Sequence, residues 1–538
     1  MARIVPLNID WKPDRASGKP VTEQIVDYMC EQVSSGNWPI GSRLPSQRAL
    51  AEWFGVNRST VIAAVAELSD YGIVEGRRGG GTRIVSNTWS LMLPGAPDWA
   101  DYVGSGFFKA NNATIQAINR YEFAPGMTRI GAGEIDPRLF SKSMWRHVLG
   151  EAANEIDSLG YPPPEGLPQL REAIANHMRD SGIECAPEQV LVTSGALQAL
   201  QLISVSLLPA NSTVYAEAPS YIKSLQVFQS AGMHLEGVPM DGGGIDVHAL
   251  NDSLTGRRSS SSVSSVSATV STSDDGRISD ALDASMSVMP MPSSASAECR
   301  PSGIGRKRRG DAILYTIPTN HNPTGITMDD RRRRELIECC VANRLPIIED
   351  GAYRDLYFED DAPLPLKAFD ETGMVIALGS ASKSLAPGLR IGWMIAAEPI
   401  VQRLADVKMQ VDYGASVLSQ WAFARFLSSG LYDEYVAGLK TELLRRRDCA
   451  MRVLQEKLGD CAHWNVPKGG FYIWLTFDRP MRMGRLFQLA VEHGVLLNPG
   501  DIYDFAANNS LRLSYSYTTP EEFAAAVEVL AAIARELA

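Results

Sequence analysis

Beyond residue 121, five short apolar runs, at 189–193, 213–216, 312–317, 345–348 and 374–378, each stop at a cluster of polar residues. The stretches between them carry helical apolar spacing. Strands that alternate with helices are joined by crossovers and assemble into a mainly parallel sheet. Ligands of such a sheet sit outside the carboxyl ends of its strands. The polar clusters therefore fall where chemistry is expected, and they do so five times in chain order.

The first run leads to Ser194-Gly195-Ala196-Leu197-Gln198, which opens a helix. The free amides of that turn can hold a phosphate. After the second run comes Glu217-Ala218-Pro219-Ser220-Tyr221, whose tyrosine can stack on a flat ring. The third run leads to Asn322-Pro323-Thr324-Gly325 and the fourth to Glu349-Asp350-Gly351-Ala352-Tyr353. The fifth precedes Gly379-Ser380-Ala381-Ser382-Lys383-Ser384, with Arg390 close behind. A lysine amine in this setting can form a Schiff base with an aldehyde cofactor, while Ser380, Ser382 and Arg390 hold the cofactor's phosphate. Asp350 would keep a pyridinium nitrogen protonated, since a nearby negative charge raises its pKa. Asn322 and Tyr353 would hydrogen-bond the ring hydroxyl. Each residue also has an ordinary reading: Lys383 as a surface charge, Asp350 as a turn former, Asn322 as a loop residue, Tyr221 as core. Their order as a set favours the chemical reading.

At 538 residues the chain is too long for one ordinary core. With 45% hydrophobic and 21% charged residues it reads as globular. No run is long enough to span a membrane, and the first fifteen residues lack a signal-peptide core. The seven cysteines are scattered, with no CxxC pair, so neither a disulfide framework nor zinc is expected and a cytoplasmic location is. Net charge is −11, yet residues 1–86 hold ten Lys and Arg against nine Asp and Glu, so the acidity lies elsewhere.

Those first 86 residues have their own pattern. The spacing predicts a helix over 22–35, a second opened by Ser46 as N-cap, and a third after Gly55-Val56-Asn57. A hairpin with the glycine-rich basic tip Arg77-Arg78-Gly79-Gly80-Gly81-Thr82-Arg83 closes the segment. Three short helices and a basic hairpin make a winged helix-turn-helix. Its third helix would enter the major groove with Asn57, Arg58, Ser59 and Thr60 leading. Arg43, Ser46 and Arg48 would meet phosphates, with Gln47 beside them, and the wing residues Arg77 and Arg83 would lie on the backbone or in the minor groove. A small protein-binding module is the alternative, given the neutral balance. The ordered run Leu44-Pro45-Ser46-Gln47-Arg48-Ala49-Leu50-Ala51, then Val56-Asn57-Arg58-Ser59-Thr60-Val61 and Gly79-Gly80-Gly81-Thr82, resembles the GntR family of bacterial DNA-binding domains.

The body, 121–538, resembles the aspartate-aminotransferase-type (fold type I) family dependent on pyridoxal phosphate, through Asn322 to Gly325, Asp350 to Tyr353, and Ser380 to Lys383 with Arg390. The resemblance implies that Lys383 carries the internal aldimine and that Tyr161 reaches the cofactor phosphate of a partner subunit in a homodimer. It also implies that Arg512, in Leu511-Arg512-Leu513-Ser514, clamps a substrate carboxylate. Gly131-Ala132-Gly133 can line the same pocket. A GntR-type domain on such a body is similar to the MocR-like transcriptional regulators. The stretch 87–120 reads as a linker too apolar to be a free tether, and 255–310 as a disordered Ser-rich insertion. The expected function is a regulator of double-stranded DNA with two half-sites, sensing pyridoxal phosphate or an amino compound through an aldimine at Lys383. The alternatives are a working aminotransferase that carries a DNA-binding domain, and a body that is only structural.

Overall fold

The computed structural model describes residues 9, 11–34, 37–77, 81–86, 111–256, 312–359 and 362–537. The chain divides into two compact units, 1–106 and 107–538. Of the expected insertion at 255–310, only Thr255 and Gly256 are described, at the end of the helix Val247–Thr255. The rest lies outside the described residues. Within 87–120, residues 111–120 are described. There the helix Ala113–Tyr121, capped by the Asn112 side chain, buries Ile118 in the core of the large unit.

The small unit is built from the helices Val21–Ser34, Gln47–Phe54 and Arg58–Asp70 and the antiparallel hairpin Val74–Arg77 with Gly81–Ile84. Ile25, Met29, Leu50, Phe54, Val61, Leu68 and Ile84 form its core, and Trp38 closes it with 1% exposure. Ser46 caps the second helix by accepting from the Ala49 N–H at 3.2 Å. The turn between the second and third helices needs a left-handed residue, and Gly55 supplies it at φ 67°.

In the large unit the principal sheet has eight strands. Their order is Val190–Thr193, Gly392–Ile395, Val375–Ser380, Ile347–Asp350, Ala312–Thr316, Thr213–Ala218, His234–Asp241 and Gly244–Ile245. The five from Val375–Ser380 to His234–Asp241 are mutually parallel. Gly392–Ile395 runs antiparallel to both of its neighbours, so Val190–Thr193 points the same way as the parallel five. All six strands that precede a candidate site or flank one thus end at one edge. The strand expected over 374–378 runs on to Ser380, because pairing with Gly392–Ile395 extends the ladder to Ser380 opposite Gly392. The strand expected over 345–348 likewise continues to Asp350, paired with Leu378.

A second, antiparallel sheet of Ala462–Trp464, Tyr472–Phe477, Ser510–Ser514 and Asn498–Pro499 carries Arg512 opposite Trp474 and Asn498. The loop bearing Asn322 is pinned by a fully buried arginine. Arg333 donates to the carbonyls of Met328 (2.8 Å) and Pro318 (2.8 Å) and to Thr319 Oγ1 (2.9 Å). Burial lowers its pKa to about 10. Replacing Arg333 with Met leaves the buried Met328 carbonyl without a donor, at about 1–3 kcal/mol, while the Pro318 carbonyl keeps the Met328 N–H at 2.9 Å. Chemical unfolding should show the large unit destabilised by that order, and an unchanged midpoint would contradict this account of the loop.

Candidate functional site

Five strand ends in the large unit contribute to one cavity. Its walls are Gly195, Ala196, Leu197, Leu200, Tyr221, Ser224, Ile317, Asp350, Ala352, Tyr353, Ser380, Ser382, Lys383 and Arg390. Lys383 stands on the short helix Ala381–Ser384, directly after the strand that ends at Ser380. Its Nζ donates to the Gly133 carbonyl at 2.7 Å. Burial first, and the nearby Arg512 guanidinium second, hold its pKa down at about 8. An amine so tuned is half deprotonated at that pH, and the free amine is the nucleophilic form.

The cavity has an anionic end and an anion-binding end. At the first, Asp350 is buried at the end of Ile347–Asp350, where it accepts from Tyr315 Oη at 2.8 Å and from the Ala352 N–H at 3.1 Å. Burial raises its pKa against the pull of these two bonds. A carboxyl in that state gains from a cationic N–H placed beside it. At the other end, Gly195 adopts φ 97° before the helix Ala196–Ser206. A Cβ at Gly195 would meet Arg390 Nη2 at 2.7 Å, so the backbone there must be bare for the guanidinium to approach. Arg390 donates to the Ser194 carbonyl at 2.9 Å, and the Ser380 hydroxyl accepts from the Ser382 N–H at 3.2 Å. Free amides, two hydroxyls and a guanidinium form a donor set suited to a phosphate. The residues present fit pyridoxal phosphate: a donor set for its phosphate, an amine for its aldehyde and a carboxyl for its ring nitrogen line the same cavity.

Behind the cavity wall lies a buried polar chain. Asn322 Nδ2 donates to Tyr353 Oη at 3.2 Å, and Tyr353 Oη is 2.8 Å from Tyr472 Oη. Arg512 Nη1 donates to Asn322 Oδ1 at 2.9 Å and Nη2 to the Gly131 carbonyl at 2.7 Å. Its guanidinium lies over the rings of Tyr472 and Tyr503, at 4.3 and 4.7 Å from their centroids. Its Nε is buried without a partner. Gly131 and Gly133 therefore do flank the site, through their carbonyls. Tyr161 does not enter the cavity of its own chain. It is 82% exposed, with its ring against that of Tyr413.

In the small unit Arg43, Ser46, Arg48, Asn57, Arg58, Ser59 and Arg83 are exposed, and Gln47 and Thr60 are partly so. Asn57 occupies the N-cap position of Arg58–Asp70 without a side-chain capping bond. Arg83 Nη1 donates to the Gly41 carbonyl at 2.9 Å, which draws the wing to the turn before Leu44. Arg77 ends the first wing strand, and its side chain lies outside the described residues. Ile62, one turn past Arg58, is 44% exposed on the third helix. Sequence reasoning passed over Ile62, and likewise Tyr315 and Tyr472. In the apolar strand Ala312–Thr316 a tyrosine looks like core, and the pair Gly469-Gly470 before Tyr472 was the one hint that its strand approaches a site.

The body is thus of the pyridoxal-phosphate aminotransferase architecture, preceded by a winged helix. The model of aminotransferase class I and II matches residues 140–273 and 284–530, and that of bacterial regulatory proteins of the gntR family matches residues 21–84. Over 528 residues, 98% of each chain, the protein is 43% identical to an uncharacterized HTH-type transcriptional regulator, YisV, of Bacillus subtilis (strain 168). It is 30% identical over 490 residues to the HTH-type transcriptional regulator NorG of Staphylococcus aureus (strain N315), across 89% of this chain and 96% of that one. Among solved structures, LysN, an alpha-aminoadipate aminotransferase of Thermus thermophilus complexed with N-(5'-phosphopyridoxyl)-L-leucine, superposes with a TM-score of 0.66 at 26% identity. That match covers 82% of this chain and 99% of LysN. The chain belongs to the GntR-family transcriptional regulators that carry an aminotransferase class I and II domain, the MocR-like arrangement.

The Lys383 setting makes a pH prediction. Acylation of Lys383, followed by peptide mass spectrometry, should have a midpoint at about pH 8 in the cofactor-free protein. Arg512→Met removes a neighbouring cation and should move that midpoint upward. A wild-type midpoint near the ordinary lysine value would contradict the burial argument.

Proposed function

We propose that this protein is a DNA-binding transcriptional regulator whose body binds pyridoxal phosphate at Lys383 and responds to an amino compound. The observation that carries the reading is the meeting, in one cavity, of a lysine with a lowered pKa, a buried carboxyl and a phosphate-type donor set. Ser380, Ser382, Arg390 and the amides of Ala196 and Leu197 hold the phosphate. Asp350 faces the ring nitrogen, Tyr221 packs on the ring, and Asn322 and Tyr353 face its hydroxyl. When bound, the cofactor supplies an aldehyde that condenses with amines and a ring that draws electrons from them. Lys383 Nζ is the group that takes up or returns a proton beside that aldehyde. Arg512 holds the carboxylate of an incoming amino acid by its guanidinium fork, and so brings the ligand's amine to Lys383.

Two copies complete the assembly, with the exposed Tyr161 serving the partner's phosphate. Two winged helices then address two half-sites on double-stranded DNA, each with Arg58, Ser59 and Asn57 leading into the major groove. Ligand binding in the body and DNA binding at the wing are linked, so each changes the affinity of the other by one factor. The complete lysine, carboxyl and arginine set also favours a second reading, in which the body turns over as an aminotransferase. Sustained conversion of a keto acid by the purified protein would select that reading.

DNA binding by the full chain, measured at fixed salt on its own upstream region, tests the regulator. Affinity should shift when pyridoxal phosphate is removed. Lys383→Ala should lose the cofactor's absorption band and give a DNA affinity that no longer responds. Identical binding by all forms would overturn sensing through the cofactor. Arg58→Ala should weaken binding to the operator by about 1–3 kcal/mol and relax the sequence preference at one position. A loss confined to the salt dependence would instead place Arg58 on phosphate.

A further inference from the structure

The anion turn is held from behind by a carboxylate that the reading above does not use. Ser194 is fixed at all three of its polar groups. Its N–H donates to Gln198 Oε1 (2.7 Å), its carbonyl accepts from Arg390 (2.9 Å), and its hydroxyl donates to Asp412 Oδ2 (3.2 Å). The same Oδ2 accepts from Gln198 Nε2 at 3.0 Å. Asp412 thereby gathers both partners of the turn that aims the amides of Gly195, Ala196 and Leu197. Burial acts to raise its pKa, but the Gly414 N–H, Gln198 and Ser194 bonds outweigh burial and lower it, so the group is a carboxylate at neutral pH.

Asp412 is itself tied to its surroundings. Its N–H donates to the Lys408 carbonyl at 2.7 Å, and its Oδ1 accepts from the Gly414 N–H at 3.1 Å. The buried Lys408 Nζ donates to the Val192 carbonyl at 2.8 Å, just before Ser194. The residue that follows Asp412 is Tyr413, whose ring centroid lies 4.9 Å from that of Tyr161. A Cβ on Gly414, at φ 131°, would meet Pro162 at 3.2 Å, so the two segments lie against each other. Tyr161 is 82% exposed and Tyr413 55%, and Leu159 (71%) and Val411 (58%), their chain neighbours, are exposed as well. Apolar exposure of this kind marks a surface that associates.

We propose that Asp412 is a positioning residue that couples the anion turn to the Tyr161–Tyr413 surface, so that binding of a phosphate ester and association with a second copy of this chain strengthen each other. The inference rests on the reading of the body as a self-associating pyridoxal-phosphate protein. A rigid link of this kind makes the coupling reciprocal: a cofactor that orders Ser194 orders Tyr413 through two bonds, and a partner that buries Tyr413 orders Ser194 in return.

The test pairs a cofactor titration of the full chain, read by absorbance, with sedimentation of the same samples. In the wild type, pyridoxal phosphate should tighten self-association, and by the same factor that self-association tightens the cofactor. Asp412→Asn should weaken pyridoxal phosphate by about tenfold, the equivalent of one charge-assisted hydrogen bond. It should bring the mutual factor toward one and leave binding of pyridoxal, which lacks the phosphate, as in the wild type. Tyr413→Ala, at an exposed position that does not endanger the fold, should weaken association and pyridoxal phosphate together. The coupling is overturned if Asp412→Asn binds pyridoxal phosphate as the wild type does, or loses pyridoxal equally. It is also overturned if Tyr413→Ala alters association while cofactor affinity holds. A wild type that binds no pyridoxal phosphate at all would instead remove the proposed function, and this inference with it.

Discussion

A strand that ends at the edge of a parallel sheet has no further ladder to join, so the groups just beyond it must find other partners. In this body six strands end at one edge, and residues beyond five of them share a single cavity. The site follows from that constraint. Gly195 yields its amides because a helix begins there, Asp350 is buried because its strand is central, and Lys383 is held over the cavity because its helix is only one turn long. None of these groups would be perturbed on an open surface. The low dielectric of the edge both depresses the lysine and raises the aspartate.

The small unit depends on a different constraint. With fewer than a hundred residues in its helices and wing it has little apolar area to bury, and it concentrates that area in aromatic packing. Trp11 stacks on Tyr28 at 4.5 Å between centroids, and Tyr28 meets Trp38 and Phe54 edge-on at 6.1 and 6.0 Å. This leaves the outer faces of the second and third helices free for polar residues. The N-cap position of Asn57 and the exposed Arg58 and Ser59 are consequences of a helix whose buried stripe is Val61, Ala64, Val65 and Leu68.

Much of this was legible in the chain. Ser46 and Gly55 punctuate the second helix as capping rules require, and the chemical residues fall at strand ends because both obey local rules. What sequence spacing did not reveal is nonlocal. Gly392–Ile395 enters the sheet antiparallel between two strands that come earlier in the chain, and no local pattern announces that. Its pairing lengthens the neighbouring strand to Ser380. Tyr315 and Tyr472 are apolar in pattern and polar in use, because their rings fill core while their hydroxyls reach Asp350 and Tyr353. Asp412 reads as the end of a helix, and its bonds to Ser194 and Gln198 span more than two hundred residues.

The charge balance around Arg512 is what favours the carboxylate ligand that the proposed function assigns to it. Its guanidinium is buried, its two terminal nitrogens donate to neutral amide and carbonyl oxygens, its Nε has no partner, and among the described residues no carboxylate forms a salt bridge with it. A buried cation left in that state is costly unless a ligand completes it. The tyrosine faces of Tyr472 and Tyr503 stabilise the cation without neutralising it. A carboxylate entering the pocket would supply the missing charge, and it would also relieve the repulsion that helps lower the Lys383 pKa. A carboxylate held by Arg512, as the proposed function has it, would therefore raise the proton affinity of Lys383.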